Sequence, residues 1–455
     1  MSRARWWLVG VLAVVTVSLV ALDLSGVIFE DQPQASPPKP LLFPAPLTPA
    51  VALEPVAQPA TSLSSDIQRS LDRAFEDSGL GDAVHAVVMG ESGVNLYAQS
   101  PTAASTPAST LKLMTALAVL DSMQPNTRIE TTVVHGEKPD EIVLVGGGDA
   151  TLTVNQMKPG EGSPGSLQTL ARQTGRELTS AGVTTVRLRF DDSLFTGPAV
   201  SAAWEPMYVT SGVIAPVTAL MADQALISDD GLSRYTDPSA AAAEDFANLL
   251  KRDGVSVKGD PKRTSASPTS VSPLATVQSP PVDQLVERML RDSDNQLAEA
   301  LGRLAALAEG DSGSFRGAAK VIVASAVQRQ VDVHRVDIDD ASGLSRDDRV
   351  TPTALAEVLQ LASADELLRP ILTGLPVAGF EGTLADRYLQ VPQSKAAGVV
   401  RAKTGTLTGV SAEAGTSVTC SGDLVVFAFV ADAVVDTVAA RDALDRAAAA
   451  LSTCP

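Results

Sequence analysis

The chain has 455 residues, enough for two or three domains with cores of their own. Its formal charge of −18 argues against nucleic acid and against anionic membrane surfaces as partners. Three histidines (His85, His135, His334) leave little room for zinc, and two cysteines exclude a cysteine-rich cluster, so no metal or cofactor is expected.

In chain order, Arg3 and Arg5 precede an apolar run from Trp6 to Leu22, broken only by Gly10, Thr16 and Ser18. A charged start before a hydrophobic run is an export signal. Its 17 residues reach the lower limit for spanning a bilayer, so residues 1–30 are expected either to stay as a membrane anchor or to be cleaved. Nine prolines between Asp31 and Thr61 exclude helix and central strand and favour an extended spacer over 31–62. At about 3.1 Å per residue it would reach on the order of 90 Å. The expected location is outside the cytoplasm, in the periplasm or cell wall.

The globular part begins near Ser64, where Ser64, Ser65 and Asp66 can cap a helix carrying Ile67, Leu71, Ala74 and Phe75. Ala83–Met89 and Val94–Ala98 read as strands across a turn, followed by a helix opened by Ser109. At the other end, Val399–Thr404, Ala412–Cys420 and Leu424–Ala431 read as antiparallel strands before a last helix over 435–451. This predicts one sheet assembled from both ends of the chain, within a catalytic domain of 63–135 and 275–455. Residues 136–274 would be inserted, with strands Ile142–Val145 and Val183–Phe190 and a helix Ser239–Arg252. Cys420 and Cys454 are candidates for a disulfide, which export permits; two free thiols are the alternative.

Three short motifs carry chemistry. In Ser109-Thr110-Leu111-Lys112, the i+3 spacing returns the lysine to the serine's face of a helix. A serine hydroxyl needs a nearby base, and a lysine serves only if its pKa is lowered. Ser293-Asp294-Asn295 falls between helical patterns Val282–Leu290 and Gln296–Ala308, and Lys403-Thr404-Gly405 falls at a strand end. Each alone reads as a cap or a turn; their order and settings together are the signal. Ser36-Pro37-Pro38-Lys39 repeats the first spacing, but two prolines cannot form the required helix. Gly310-Asp311-Ser312-Gly313 resembles a trypsin-type nucleophile segment without its scaffold, and Gly146-Gly147-Gly148-Asp149 lacks the rest of any phosphate-binding pattern.

The three motifs match the Ser-x-x-Lys, Ser-x-Asn, Lys-Thr-Gly set of penicillin-recognising serine enzymes. With Asp340-Ala341-Ser342-Gly343-Leu344-Ser345-Arg346 and Pro376–Leu384, the chain from Ser64 onward resembles the D-alanyl-D-alanine carboxypeptidase/endopeptidases of the class C low-mass penicillin-binding proteins, the DacB type. Ala341 stands where that resemblance leads one to expect glycine. The resemblance implies an α/β (α+β) transpeptidase or β-lactamase-like domain: an antiparallel sheet flanked by helices, an all-helical subdomain, and one or two domains inserted after the nucleophile helix. It implies peptidoglycan stem peptides as substrates and β-lactams as covalent inhibitors. Ser109 would be the nucleophile, Lys112 its base, Ser293 a proton relay and Asn295 a holder of Lys112 and substrate. Lys403, Thr404, Gly405 and Thr406 would form the strand that receives the substrate, Lys403 also lowering the pKa of Lys112, and the backbone N–H groups of Ser109 and Thr406 would form an oxyanion hole. A β-lactamase or esterase sharing the motifs, and a non-catalytic wall-binding scaffold, are the alternatives. Long-lived or short-lived penicillin adducts separate the first, and an active Ser109→Ala variant would indicate the second.

Overall fold

A computed structural model describes residues 62–158, 163–228, 233–265 and 272–452. The expected export segment 1–30 and spacer 31–62, save its last residue, lie outside the described residues, as does Cys454. Cys420 is disulfide-bonded. Among the described residues no helix is long and apolar enough to cross a membrane.

Both ends of the chain build one five-stranded antiparallel sheet. Helix α1 (Ser65–Phe75) is capped by Ser64, whose hydroxyl accepts from the Ile67 N–H at 3.3 Å. Strands β1 (Val84–Gly90) and β2 (Asn95–Gln99) follow. From the far end come β9 (Arg401–Leu407), β10 (Val410–Val418) and β11 (Leu424–Ala431), in the order β2-β1-β11-β10-β9. Strand alternation sorts the side chains cleanly into two cores. Val87, Ala412, Ala414, Val426 and Ala428 enter one; Ala86, Val88, Val425, Phe427 and Phe429 enter the other, against α1 and the last helix α9 (Thr437–Ala450). The first core is helical. It surrounds α2 (Lys112–Ser122), which is buried without a break from Lys112 to Leu120, as an all-round apolar helix must be. Around it lie α5 (Val282–Arg291), α6 (Asn295–Ala308), α7 (Phe315–Gln328) and α8 (Pro352–Ala364).

A second sheet has β3 (Arg128–His135), β4 (Glu141–Val145), β5 (Thr185–Asp191), β6 (Ser256–Val257) and β8 (Ala275–Pro281), ordered β6-β5-β4-β3-β8, with β7 (Lys262–Arg263) paired to β5. Its hydrogen bonding therefore runs past the expected insertion limits, 136 and 274, to Arg128 and Pro281. Strands β4 and β5 are parallel, joined through α3 (Leu167–Ser180), and α3 packs with α4 (Pro238–Arg252) over this sheet. Strands β3 and β8 and helices α3, α7 and α8 are absent from the sequence expectations. The Lys-Thr-Gly motif lies in mid-strand in β9 rather than at its end, and Cys420 lies beyond β10 rather than closing it.

Candidate active site

Ser109 sits on a 3₁₀ turn, Ala108–Leu111, and not on the α-helix itself, which begins at Lys112. The tighter winding eclipses positions i and i+3, and the Lys112 Nζ donates to Ser109 Oγ at 2.9 Å. The turn is strained and tightly packed: Ala108 holds φ +47°, and a Cβ on Gly343 would lie 1.9 Å from the Ala108 carbonyl oxygen, an approach only glycine permits. Backbone strain of this kind persists where the surroundings over-determine it.

Lys112 is fully buried and donates twice more, to Asn295 Oδ1 at 2.8 Å and to the Ser342 carbonyl at 2.7 Å. Burial pushes its pKa down to about 8, against the opposing charges of Asp340, Glu299 and Asp294. Asn295 is the first residue of α6, and Asp294 is the cap, accepting from the Leu297 N–H at 3.0 Å. Asp294 thus caps α6 while Asn295, its first residue, accepts from Lys112. Ser293, in the left-handed region at φ +55°, turns its hydroxyl to Lys403, whose Nζ donates to it at 2.9 Å and to the Thr404 carbonyl at 2.7 Å.

Lys403 is fully buried and its pKa is held well below the usual lysine value, first by burial and then by the positive charges of Lys112 and Arg387. Burial is the largest cause at both amines. The repulsion between the two buried amines is mutual, so it adds to burial in disfavouring the charged form of either. Gly405 lets β9 approach the nucleophile turn: a Cβ there would meet Pro107 O at 2.7 Å and Ser109 N at 3.2 Å. On the strand's other side, the Thr404 hydroxyl pairs with Thr383 at 2.9 Å and the Thr406 hydroxyl accepts from Arg441 at 3.5 Å. The sequence reading had not singled out the Ser342 carbonyl, Thr383 or Arg441. The first two lie within the segments that carried the resemblance, whereas Arg441 has no sequence signal. Among the described residues no group of three or more acidic, histidine or cysteine side chains could hold a metal ion.

A serine beside a buried amine of lowered pKa, with a second serine on a second buried amine, is an arrangement able to activate a hydroxyl and to move a proton. The profile of the D-Ala-D-Ala carboxypeptidase 3 (S13) family matches residues 67–233 and 227–453. A carboxypeptidase of Mycobacterium tuberculosis is 32% identical over 419 residues, covering 90% of this chain and 89% of that protein. Carboxypeptidase DacB of Mycolicibacterium smegmatis is 32% identical over 458 residues, covering 98% and 96%. The chain belongs to the D-Ala-D-Ala carboxypeptidase 3 (S13) family. It is a serine D,D-peptidase. The crystal structure of penicillin binding protein 4 (dacB) from Haemophilus influenzae has the same fold, with a TM-score of 0.69 at 19% identity, covering 83% of this chain and 97% of that one.

Proposed function

We propose that this S13 peptidase hydrolyses peptidoglycan stem peptides through an acyl-enzyme on Ser109, releasing terminal D-alanine as a carboxypeptidase, opening D-Ala cross-links as an endopeptidase, or both. The observation that carries this reading is the buried Lys112 amine, hydrogen-bonded to Ser109 Oγ at 2.9 Å and free of any ion pair among the described residues. Neutral Lys112 takes the Ser109 proton as Oγ attacks the D-Ala carbonyl. Charge developing on that oxygen meets the backbone N–H groups of Ser109 and Thr406. Ser293, held on Lys403, passes a proton to the departing amine, and Asn295 holds Lys112 and the substrate amide. The terminal carboxylate is received by Lys403, Thr404 and Thr406, on the strand that Gly405 brings against the nucleophile. Water then hydrolyses the acyl-enzyme.

β-Lactams stop this enzyme at the covalent stage; a second structure of the Haemophilus influenzae protein is a β-lactam complex. The enzyme works outside the cytoplasm, with 1–30 as the export signal that either anchors it or is cleaved, 31–62 as the spacer, and Cys420 bridged to Cys454. The residues between the two parts of the catalytic domain form the inserted unit. Digestion of purified monomeric and cross-linked muropeptides, with mass readout, tests the reading. Loss of D-Ala from monomers or scission of dimers is expected, and both should vanish in Ser109→Ala. Release persisting in that variant would remove Ser109 from its role, and rapid turnover of labelled penicillin would favour a β-lactamase.

A further inference from the structure

A base must present its lone pair to the hydroxyl it deprotonates. A neutral amine has two N–H bonds, so Lys112 aims its lone pair at Ser109 only if both N–H bonds are taken by acceptors that do not move. The two remaining acceptors are Asn295 Oδ1 and the Ser342 carbonyl. Both are held by the segment that runs from Trp204 to Val217 between β5 and α4, through Trp204 and Val213.

At Ser342 the hold passes through Asp340. Its fully buried carboxylate accepts the Ser342 and Gly343 N–H groups on Oδ1, at 3.0 and 2.7 Å. Oδ2 accepts the Leu344 and Ser345 N–H groups, at 3.1 and 2.8 Å. The loop thus winds around one carboxylate, whose position fixes the direction of the Ser342 carbonyl. The carboxylate is pinned by a fifth donor, the Trp204 Nε1–H at 2.7 Å. Trp204 is itself fixed, 5% exposed and edge-on to Phe315 with ring centroids 5.0 Å apart. At Asn295, the Nδ2 donates to the Val213 carbonyl at 3.4 Å, which leaves Oδ1, and not the amide nitrogen, facing Lys112. The same segment grips the start of α6 through Ala215 N–H, which donates to Gln296 Oε1 at 3.0 Å.

We infer that Trp204 and Asp340 are positioning residues for the general base: the segment 204–217 sets the lone-pair direction of Lys112 by fixing the two acceptors that hold its other protons. The inference rests on the proposed role of Lys112. It gives the region between the first two motifs a task in the chemistry.

Trp204→Phe tests it, because phenylalanine keeps an aromatic ring beside Phe315 while deleting the indole donor along with part of the ring volume, which the active-site titration and the double variant control for. Acylation by a labelled penicillin is followed in single turnover, separating initial binding from the acylation rate constant, with active sites titrated so that misfolded protein does not count. The expected result is an acylation constant about tenfold slower with initial binding unchanged, as loss of aim predicts. The Trp204→Phe, Asp340→Asn double variant should be no slower than Asp340→Asn alone, since the tryptophan acts through the aspartate. An unchanged acylation constant in Trp204→Phe, or effects that multiply in the double variant, would overturn the inference. Lys112→Ala run in parallel keeps the two readings apart: inactivity of that variant beside a normal Trp204→Phe sinks only the positioning role, whereas activity in Lys112→Ala sinks the base itself.

Discussion

Two clusters of buried charge flank strand β9, one on each face, and they are built on opposite rules. Lys403 and its register partner Ala414 face the helical core, whereas Glu413, the partner of Thr404, faces the core under α9. There Arg387 donates to Glu413 Oε2 at 3.0 Å and to both oxygens of Asp445, and Tyr388 donates to Glu413 Oε1. Every charge has an opposite partner, and despite burial the guanidinium pKa is raised by Glu413 and Asp445. On the other face, Lys112 and Lys403 donate only to neutral oxygens, and burial drives both pKa values down. Pairing fixes a proton and neutral solvation loosens one. The paired face holds the Arg387 proton while burial raises its Glu413 carboxyl, and only the unpaired face sets amines of lowered pKa against serine hydroxyls.

The largest effect should come from making the unpaired face permanently charged. Lys112→Arg keeps a cation of similar length but cannot surrender its proton. Acylation by penicillin should fall about 10²–10⁴-fold, the range for losing a general base. A near-normal rate in that variant would mean that positive charge, and not a removable proton, is what the site needs.

The converse substitution on the paired face should cost stability. Arg387→Met leaves Glu413 and Asp445 buried without their cation, a loss of about 3–5 kcal/mol. Urea unfolding would read it, and single-turnover acylation by the folded fraction should stay within a few fold of the parent. A large loss of rate without a loss of stability would show that the two faces are not separate in function.

The contrast between the faces was only half visible in the sequence. Ser109, Lys112, Ser293, Asn295 and Lys403 were legible because helix winding, a cap and a strand bring short, ordered motifs together, and the structure places them in contact as pairs. The sheet from both chain ends was legible from alternation in Val84–Gly90 and Leu424–Ala431. Arg387, Glu413 and Asp445 were not, since each is a lone charge in its own stretch and their meeting depends on tertiary packing. Helix α3 was missed because its apolar stripe of Leu167, Leu170, Ala171 and Leu178 is thin among polar residues. The 3₁₀ turn under Ser109 has no local signal, and it packs against Gly343, 235 positions away (343 − 108), whose lack of a Cβ permits the close approach to the Ala108 carbonyl.

The pH dependence sharpens the comparison further. The neutral Lys112 amine is the working form, so acylation should climb as pH rises through about 8 and level off above it. A stopped-flow profile that is flat between about pH 6 and 9, a range that spans the expected midpoint, would show that the amine does not titrate where its burial puts it.

The smallest effect concerns Glu299, which lies fully buried behind the site with Oε1 accepting the Ala341 N–H at 3.1 Å. Burial and then the charge of Asp340 push its carboxyl from 4.5 up to about 8. The folded protein therefore keeps a proton that the unfolded chain releases above 4.5, so this group's contribution to stability declines as pH rises from about 4.5 to about 8, then levels. Glu299→Gln mimics the protonated acid and should flatten the fall in melting temperature across that window. It should also move the midpoint of the acylation profile to lower pH, because the ionised carboxylate no longer supports the Lys112 ammonium. The two readouts must move together, since both follow from one proton on one carboxyl. A flattened melting curve with an unmoved acylation midpoint would leave Glu299 as a buried acid with no electrostatic hold on the base. An unchanged slope would assign the titration instead to Asp348 or Glu413, whose carboxyls burial also raises.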